Sequence, residues 1–160
     1  MLKFKLITVG SLSEPHWRAA CDEYKKRLTG AASVTEVCLK EEKLASSPSD
    51  AQIARALDAE GERILAEIPK RALVVPLCVE GRQFSSEELA AKLDGAASAG
   101  KSEICFIIGS SYGLSDKVKS AGDLKLSMSS LTFPHQLARV MLYETLYRCV
   151  SIISGGKYHK

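Results

Sequence analysis

Two stretches, Ala72–Val79 and the run after Glu103 to Ile108, are apolar on both faces of an extended chain. A strand without a solvated side belongs inside a parallel sheet covered by helices above and below. Few architectures other than a wound α/β sheet accommodate two such strands.

The remaining segments alternate accordingly. Lys3–Val9 and Val34–Leu39 read as strands. Pro15–Leu28 reads as a helix with Pro15 at its start and Ser13 as its cap. Asp50 caps a helix to about Ile68, with Ile53, Leu57, Ile64, Leu65 and Ile68 as its apolar stripe and Pro69 as its stop. Ser85 and Glu88 form a capping box for a helix to about Asp94. Ser115–Ser120 reads as a short helix, Leu124–Met128 as a last strand and Pro134–Val150 as the final helix. The expectation is one α/β domain over residues 1–160, a size that buries a core without staples.

Composition narrows the function classes. No segment approaches the roughly 20 apolar residues of a membrane span, and the apolar run within Met1–Gly10 is too short for a signal peptide. Five scattered cysteines form neither a disulfide framework nor a zinc motif, which fits a reducing cytoplasm and no metal. Cys38, Cys78 and Cys105 lie in apolar runs and are expected in the core. The net charge of +3 is uneven: residues 1–100 hold 14 Lys/Arg against 15 Asp/Glu, whereas residues 101–160 hold 8 against 4. A basic C-terminal part suits a polyanion such as nucleic acid, or is simply a solvated face.

Wound sheets bind ligands beyond the carboxyl ends of their strands. Turn residues occupy three such ends: Leu77–Gly81, Gly109–Gly113 and Met128–Phe133. Gly10-Ser11-Leu12-Ser13 does not fit a dinucleotide fingerprint and no Walker lysine is present, so the site is expected late in the chain.

Four late segments carry a resemblance: Gly109-Ser110-Ser111-Tyr112-Gly113-Leu114-Ser115, Leu131-Thr132-Phe133-Pro134-His135-Gln136-Leu137-Ala138-Arg139-Val140, Glu144-Thr145-Leu146-Tyr147-Arg148 and Tyr158-His159-Lys160. Together they resemble the SPOUT-class large-subunit rRNA methyltransferases, in the branch that N3-methylates a pseudouridine in helix 69 of 23S rRNA. The resemblance implies a C-terminal trefoil knot, S-adenosylmethionine as methyl donor, and a homodimer acting on 23S rRNA within the ribosome. It also implies donor contacts at Leu77, Gly109, Met128, Ser129, Ser130, Leu131, Thr132 and Phe133. The chain departs from the family at Ser110, where a second Gly is common, and at Lys157, where Pro is common. Ser110 is expected to alter the donor loop, and Lys157 to loosen the tail.

Each candidate also has a plainer role. The 109–113 loop is either a turn or a turn that meets the donor with its backbone. His135, at a helix start, either accepts a proton or orients the loop. Glu144 is placed to pair with Arg148 at i, i+4. That leaves Arg139 for a phosphate, a substrate carbonyl, a partner carboxylate or a structural ion pair. Tyr158, His159 and Lys160 form either a frayed end or a stacking, proton-transfer and phosphate-contact group, swung over the crevice by a Gly155-Gly156 hinge. Trp17 is a packing residue or a weaker nucleic-acid contact. A non-catalytic RNA- or ribosome-binding module of the same fold is the alternative to the enzyme.

Overall fold

The computed structural model describes residues 1–101 and 103–158. Strands β1 (Leu2–Val9), β2 (Ala32–Leu39), β3 (Leu73–Arg82) and β4 (Ile104–Ile108) form one sheet, ordered β2-β1-β4-β3, with every pairing parallel. β4 is buried along its whole length between β1 and β3, as its uninterrupted apolar run requires.

Helices cover both faces. Helices α1 (Pro15–Leu28), α3 (Ser86–Ser98) and α5 (His135–Ile153) enclose one core with Phe4, Leu6, Val75, Ile104 and Phe106. Helices α2 (Asp50–Glu67) and α4 (Asp116–Ser120) enclose the other with Ile7, Val9, Val74, Cys105 and Ile107. Alternate residues of each central strand thus serve opposite cores.

Local chemistry moves several boundaries. α2 is capped by Ser49, whose hydroxyl accepts the Gln52 N–H while Gln52 reaches back to the Ser49 N–H; Asp50 lies in the first turn instead. The Ser85/Glu88 box opens α3 as its spacing indicates, but α3 runs through Gly95 to Ser98. Glu14, with no side-chain bond, stands at the N-cap of α1, because Ser13 is engaged by Gln136 of α5 through two hydrogen bonds of 3.0 Å. On α2 the buried face is Ala56, Glu60, Gly61 and Ile64, not the full stripe of large aliphatics.

Leu124–Met128 is not a strand. Leu126 forms isolated bridges to Leu77 and to Arg82, while Asp123 bonds back to Val74 at 2.8 Å. Partners divided among three points of β3 leave no room for a continuous ladder.

The cysteines also sort differently. Cys105 is buried as expected, but Cys38 is exposed with its thiol on the Gly10 carbonyl at 3.0 Å, and Cys78 is half-buried. Cys21 and Cys149 are buried instead. Among the described residues no helix is long and apolar enough to cross a membrane, and no cluster of metal-ligating side chains occurs.

Candidate ligand crevice at the carboxyl ends of β3 and β4

The carboxyl ends of β3 and β4 open into a crevice of about 340 Å³. Its floor is Leu77–Glu80 and Ile108–Leu114, and its far wall is Leu126, Met128, Ser129 and Leu131–Phe133. The first turn of α5 closes one end with His135 and Ala138. The crevice thus unites the three segments that the sequence singles out, although Leu77–Gly81 is still strand β3 and Met128–Phe133 follows no strand. Of the eight expected donor contacts, only Ser130 lies outside the lining, where its hydroxyl accepts from Gln83 at 3.2 Å.

The 109–113 loop is a tight reversal. The Gly113 N–H bonds the Ser110 carbonyl at 2.9 Å, and Gly113 has a φ of +89°. Gly109 is required for a different reason from the positive φ that its type suggests. A Cβ there would meet the Gly113 carbonyl oxygen, with Leu114 Cδ2 at 2.9 Å, so backbone packs directly on backbone. The opposite wall is self-supporting: the Ser129 hydroxyl accepts the Leu131 N–H at 3.0 Å, and the Ser127 hydroxyl donates to the Ser129 carbonyl at 3.0 Å.

The mouth is apolar. Val79, Tyr112 and Leu131 are 54%, 47% and 69% exposed, unusual for large apolar side chains gathered at one opening. One wall is ionic: Lys119 pairs with Glu80 at 2.5 Å, holding the Glu80 carboxyl below and the Lys119 ammonium above their usual values. Sequence reasoning singled out neither Glu80 nor Lys119, although Glu80 lies within the marked Leu77–Gly81 end and Lys119 within the expected short helix.

Arg139 faces away from the crevice lining. It is 3% exposed, donating from Nη1 to Glu36 at 3.0 Å and from Nη2 to the Gly10 carbonyl at 2.7 Å. Of the openings left by the sequence, the structure fills the structural ion pair. Other C-terminal cations behave similarly: Lys101, Lys117, Lys119 and Arg148 meet Asp123, Glu62, Glu80 and Glu144. Among the described cations of residues 101–158, Lys125 and Lys157 have no carboxylate partner. The positive excess of that segment is therefore mostly neutralised by folding.

Tyr158 is anchored, not frayed. Its hydroxyl donates to Glu144 at 3.0 Å, its ring meets Tyr147 edge-on at 4.6 Å, and Arg148 lies 4.8 Å over it. Gly155 and Gly156 are no free hinge: their N–H groups bond Ile152 and Ser151, closing α5 with a Schellman turn. His135 and Tyr147 are separated by about 18 Å of helix, so the anchored tail sits far from its own crevice. His159 and Lys160 lie outside the described residues. Trp17 is half-buried against His16 at 4.5 Å.

Comparison with known proteins agrees with this geometry. The model of a family described as "Predicted SPOUT methyltransferase" matches residues 2–159. Proteins called "Ribosomal RNA large subunit methyltransferase H" from Listeria welshimeri and Bacillus pumilus are 45% and 43% identical over 159 residues, 99% of this chain and the whole of each relative. A Haemophilus influenzae structure titled as a probable methylase family protein superposes with a TM-score of 0.51 at 16% identity, covering 99% of this chain and 70% of that one, a likeness of fold. This chain belongs to the SPOUT methyltransferase family.

Proposed function

We propose that the protein transfers a methyl group from S-adenosylmethionine to large-subunit rRNA, at N3 of a pseudouridine in helix 69. The observation that carries the reading is the crevice itself: seven of the eight donor positions that the resemblance implies line it, drawn from β3, from the loop after β4 and from the wall before α5. Leu77, Leu131 and Phe133 offer apolar surface for an adenine, while the loop backbone and Ser129 offer polar groups for ribose and the amino-acid end. When bound, the donor supplies an electrophilic methyl group. The chain's tasks are then to align the nucleophile, exclude water and accept the N3 proton. His135 lines the crevice and is one candidate acceptor; His159 is the other.

The rRNA substrate is supported by the names of relatives 45% and 43% identical over nearly the whole chain. A homodimer is supported by the apolar mouth and by half-buried Leu137, Val140 and Met141 on α5. It also accounts for the tail: Tyr158 is anchored away from its own crevice, so Tyr158, His159 and Lys160 act on a partner's crevice. The knotted path is supported by the match of the SPOUT family model over residues 2–159. A cytoplasmic location follows from a ribosomal substrate.

Calorimetric titration with S-adenosylmethionine, followed by methyl transfer onto assembled ribosomes and naked rRNA, tests the reading. Saturable micromolar binding and transfer favouring ribosomes are expected. Binding without transfer to either substrate leaves a binding-only module, and no binding removes the donor site. Sedimentation at micromolar concentration is expected to give twice the chain mass; a monomer refutes the shared site.

A further inference from the structure

Glu60 is an unusual residue for the core-facing side of α2. It is 3% exposed, yet among the described residues no basic side chain pairs with it; both its oxygens are used by hydrogen-bond donors. Oε1 accepts the Glu42 N–H and Oε2 the Ser110 hydroxyl, each at 2.9 Å. Burial of a carboxyl group is costly unless its lone pairs are satisfied, so the arrangement holds only while both donors stay in place.

The two donors belong to different parts of the molecule. Ser110 opens the crevice loop, and Glu42 lies in the segment after β2. That segment is fixed to α2 by Arg63, which donates to the Glu42 carboxylate at 2.7 Å and to the Lys40 carbonyl at 2.9 Å. Next along the loop, the Ser111 hydroxyl donates to Glu41 at 3.3 Å. The far end of the loop is held by the same helix turn: Gly61 is so close to Ser115, the cap of α4, that a Cβ would stand 2.6 Å from its hydroxyl. Glu60 and Gly61 therefore grip the loop at both ends.

We propose that Glu60 is a positioning residue for donor binding, setting the 109–113 backbone through the Ser110 hydroxyl. This rests on the reading that the crevice holds S-adenosylmethionine. Glu60 touches no crevice space itself and acts only through the loop. The Ser110 departure from the resembled family thereby acquires a function: its hydroxyl is the loop's handle on α2.

The test uses the full-length protein with Ser110→Ala, Glu60→Gln and the double variant. Two readouts are taken: amide hydrogen exchange across residues 109–113 without donor, and calorimetric affinity for S-adenosylmethionine. Ser110→Ala is expected to speed loop exchange about five- to tenfold, the effect of one lost hydrogen bond, while the sheet amides stay protected. Donor affinity is expected to fall by a similar factor. The double variant is expected to be no worse than the weaker single variant, because both changes break one link. Unchanged loop exchange in Ser110→Ala overturns the proposal, as do losses that multiply in the double variant. If Glu60→Gln fails to fold, Ser110→Ala alone decides through its two readouts. Wild-type protein that binds no S-adenosylmethionine refutes the donor reading and the positioning role with it, whereas faster exchange in the variants still reports the mechanical link.

Discussion

Arg139 on α5 and Glu36 on β2, joined at 3.0 Å, tie the last helix to an edge strand. Tyr143 donates to the second Glu36 oxygen at 3.0 Å, and Lys25 reaches that oxygen at 2.8 Å. Removing Arg139 leaves Glu36 held by Lys25 and Tyr143 but empties its Oε1 and the Gly10 carbonyl of their donor. Arg139→Ala is expected to cost about 1–3 kcal/mol of stability, read by denaturant unfolding. A cost near zero shows that the pair is no structural anchor.

The same carboxylate predicts a pH dependence. Burial pushes the Glu36 carboxyl upward, but Lys25, Arg139 and Tyr143 outweigh it and hold it below its ordinary 4.5. A carboxyl with a lowered folded-state value contributes stability above its unfolded value and loses it as pH falls through the folded one. Thermal midpoints are therefore expected to drop below about pH 4.5, and less steeply in Glu36→Gln. Parallel acid profiles for the two proteins refute this assignment.

At Gly109 the expected damage is steric. Gly109→Ala places a Cβ against the Gly113 carbonyl and is expected to cost about 1–3 kcal/mol. It is also expected to weaken S-adenosylmethionine binding in calorimetry, with a circular dichroism spectrum that stays folded. Wild-type affinity removes the loop from the site.

Two truncations separate anchoring from chemistry. Removing His159–Lys160 leaves the Tyr158 contacts and is expected to leave stability unchanged, while methyl transfer falls on the order of a hundredfold if His159 is the base. Removing Tyr158 as well is expected to cost a further 1–2 kcal/mol, roughly the worth of its aromatic and cation–π contacts. Normal turnover in the shorter truncation moves the proton acceptor to His135 or to solvent.

Thiol reactivity offers a check on the cores. Burial pushes Cys21 up to about 11 and Cys105 and Cys149 up to about 12, so none supplies thiolate near neutrality. Maleimide at pH 7 is expected to label exposed Cys38 first and those three only on unfolding. Early labelling of Cys105 contradicts the closed second core.

The periodicity that marked β1 to β4 and the helices was legible because it reflects burial, and burial dominates folding. The Gly109–Gly113 turn was legible because Gly and Ser are selected there by backbone geometry, whereas Leu77–Gly81 is still strand β3 and Met128–Phe133 follows no strand. Arg139 and Tyr158 were not: their partners Glu36 and Glu144 lie 103 and 14 positions away, and a charge carries no mark of what it will meet. Leu124–Met128 misled because strand composition does not reveal whether a continuous partner exists. Glu60 was hidden by its type, since a carboxylate on a helix ordinarily signals solvent.

The divided bridging of Leu126 bears on how the molecule comes into being. Every strand of the sheet has been made by Ile108, but one wall of the crevice comes from Leu126–Phe133 and its end from α5. A growing chain can thus hold its complete sheet while it remains blind to any ligand. Competence arrives only when the last third of the polypeptide has found its place against β3, making ligand recognition a late checkpoint on assembly.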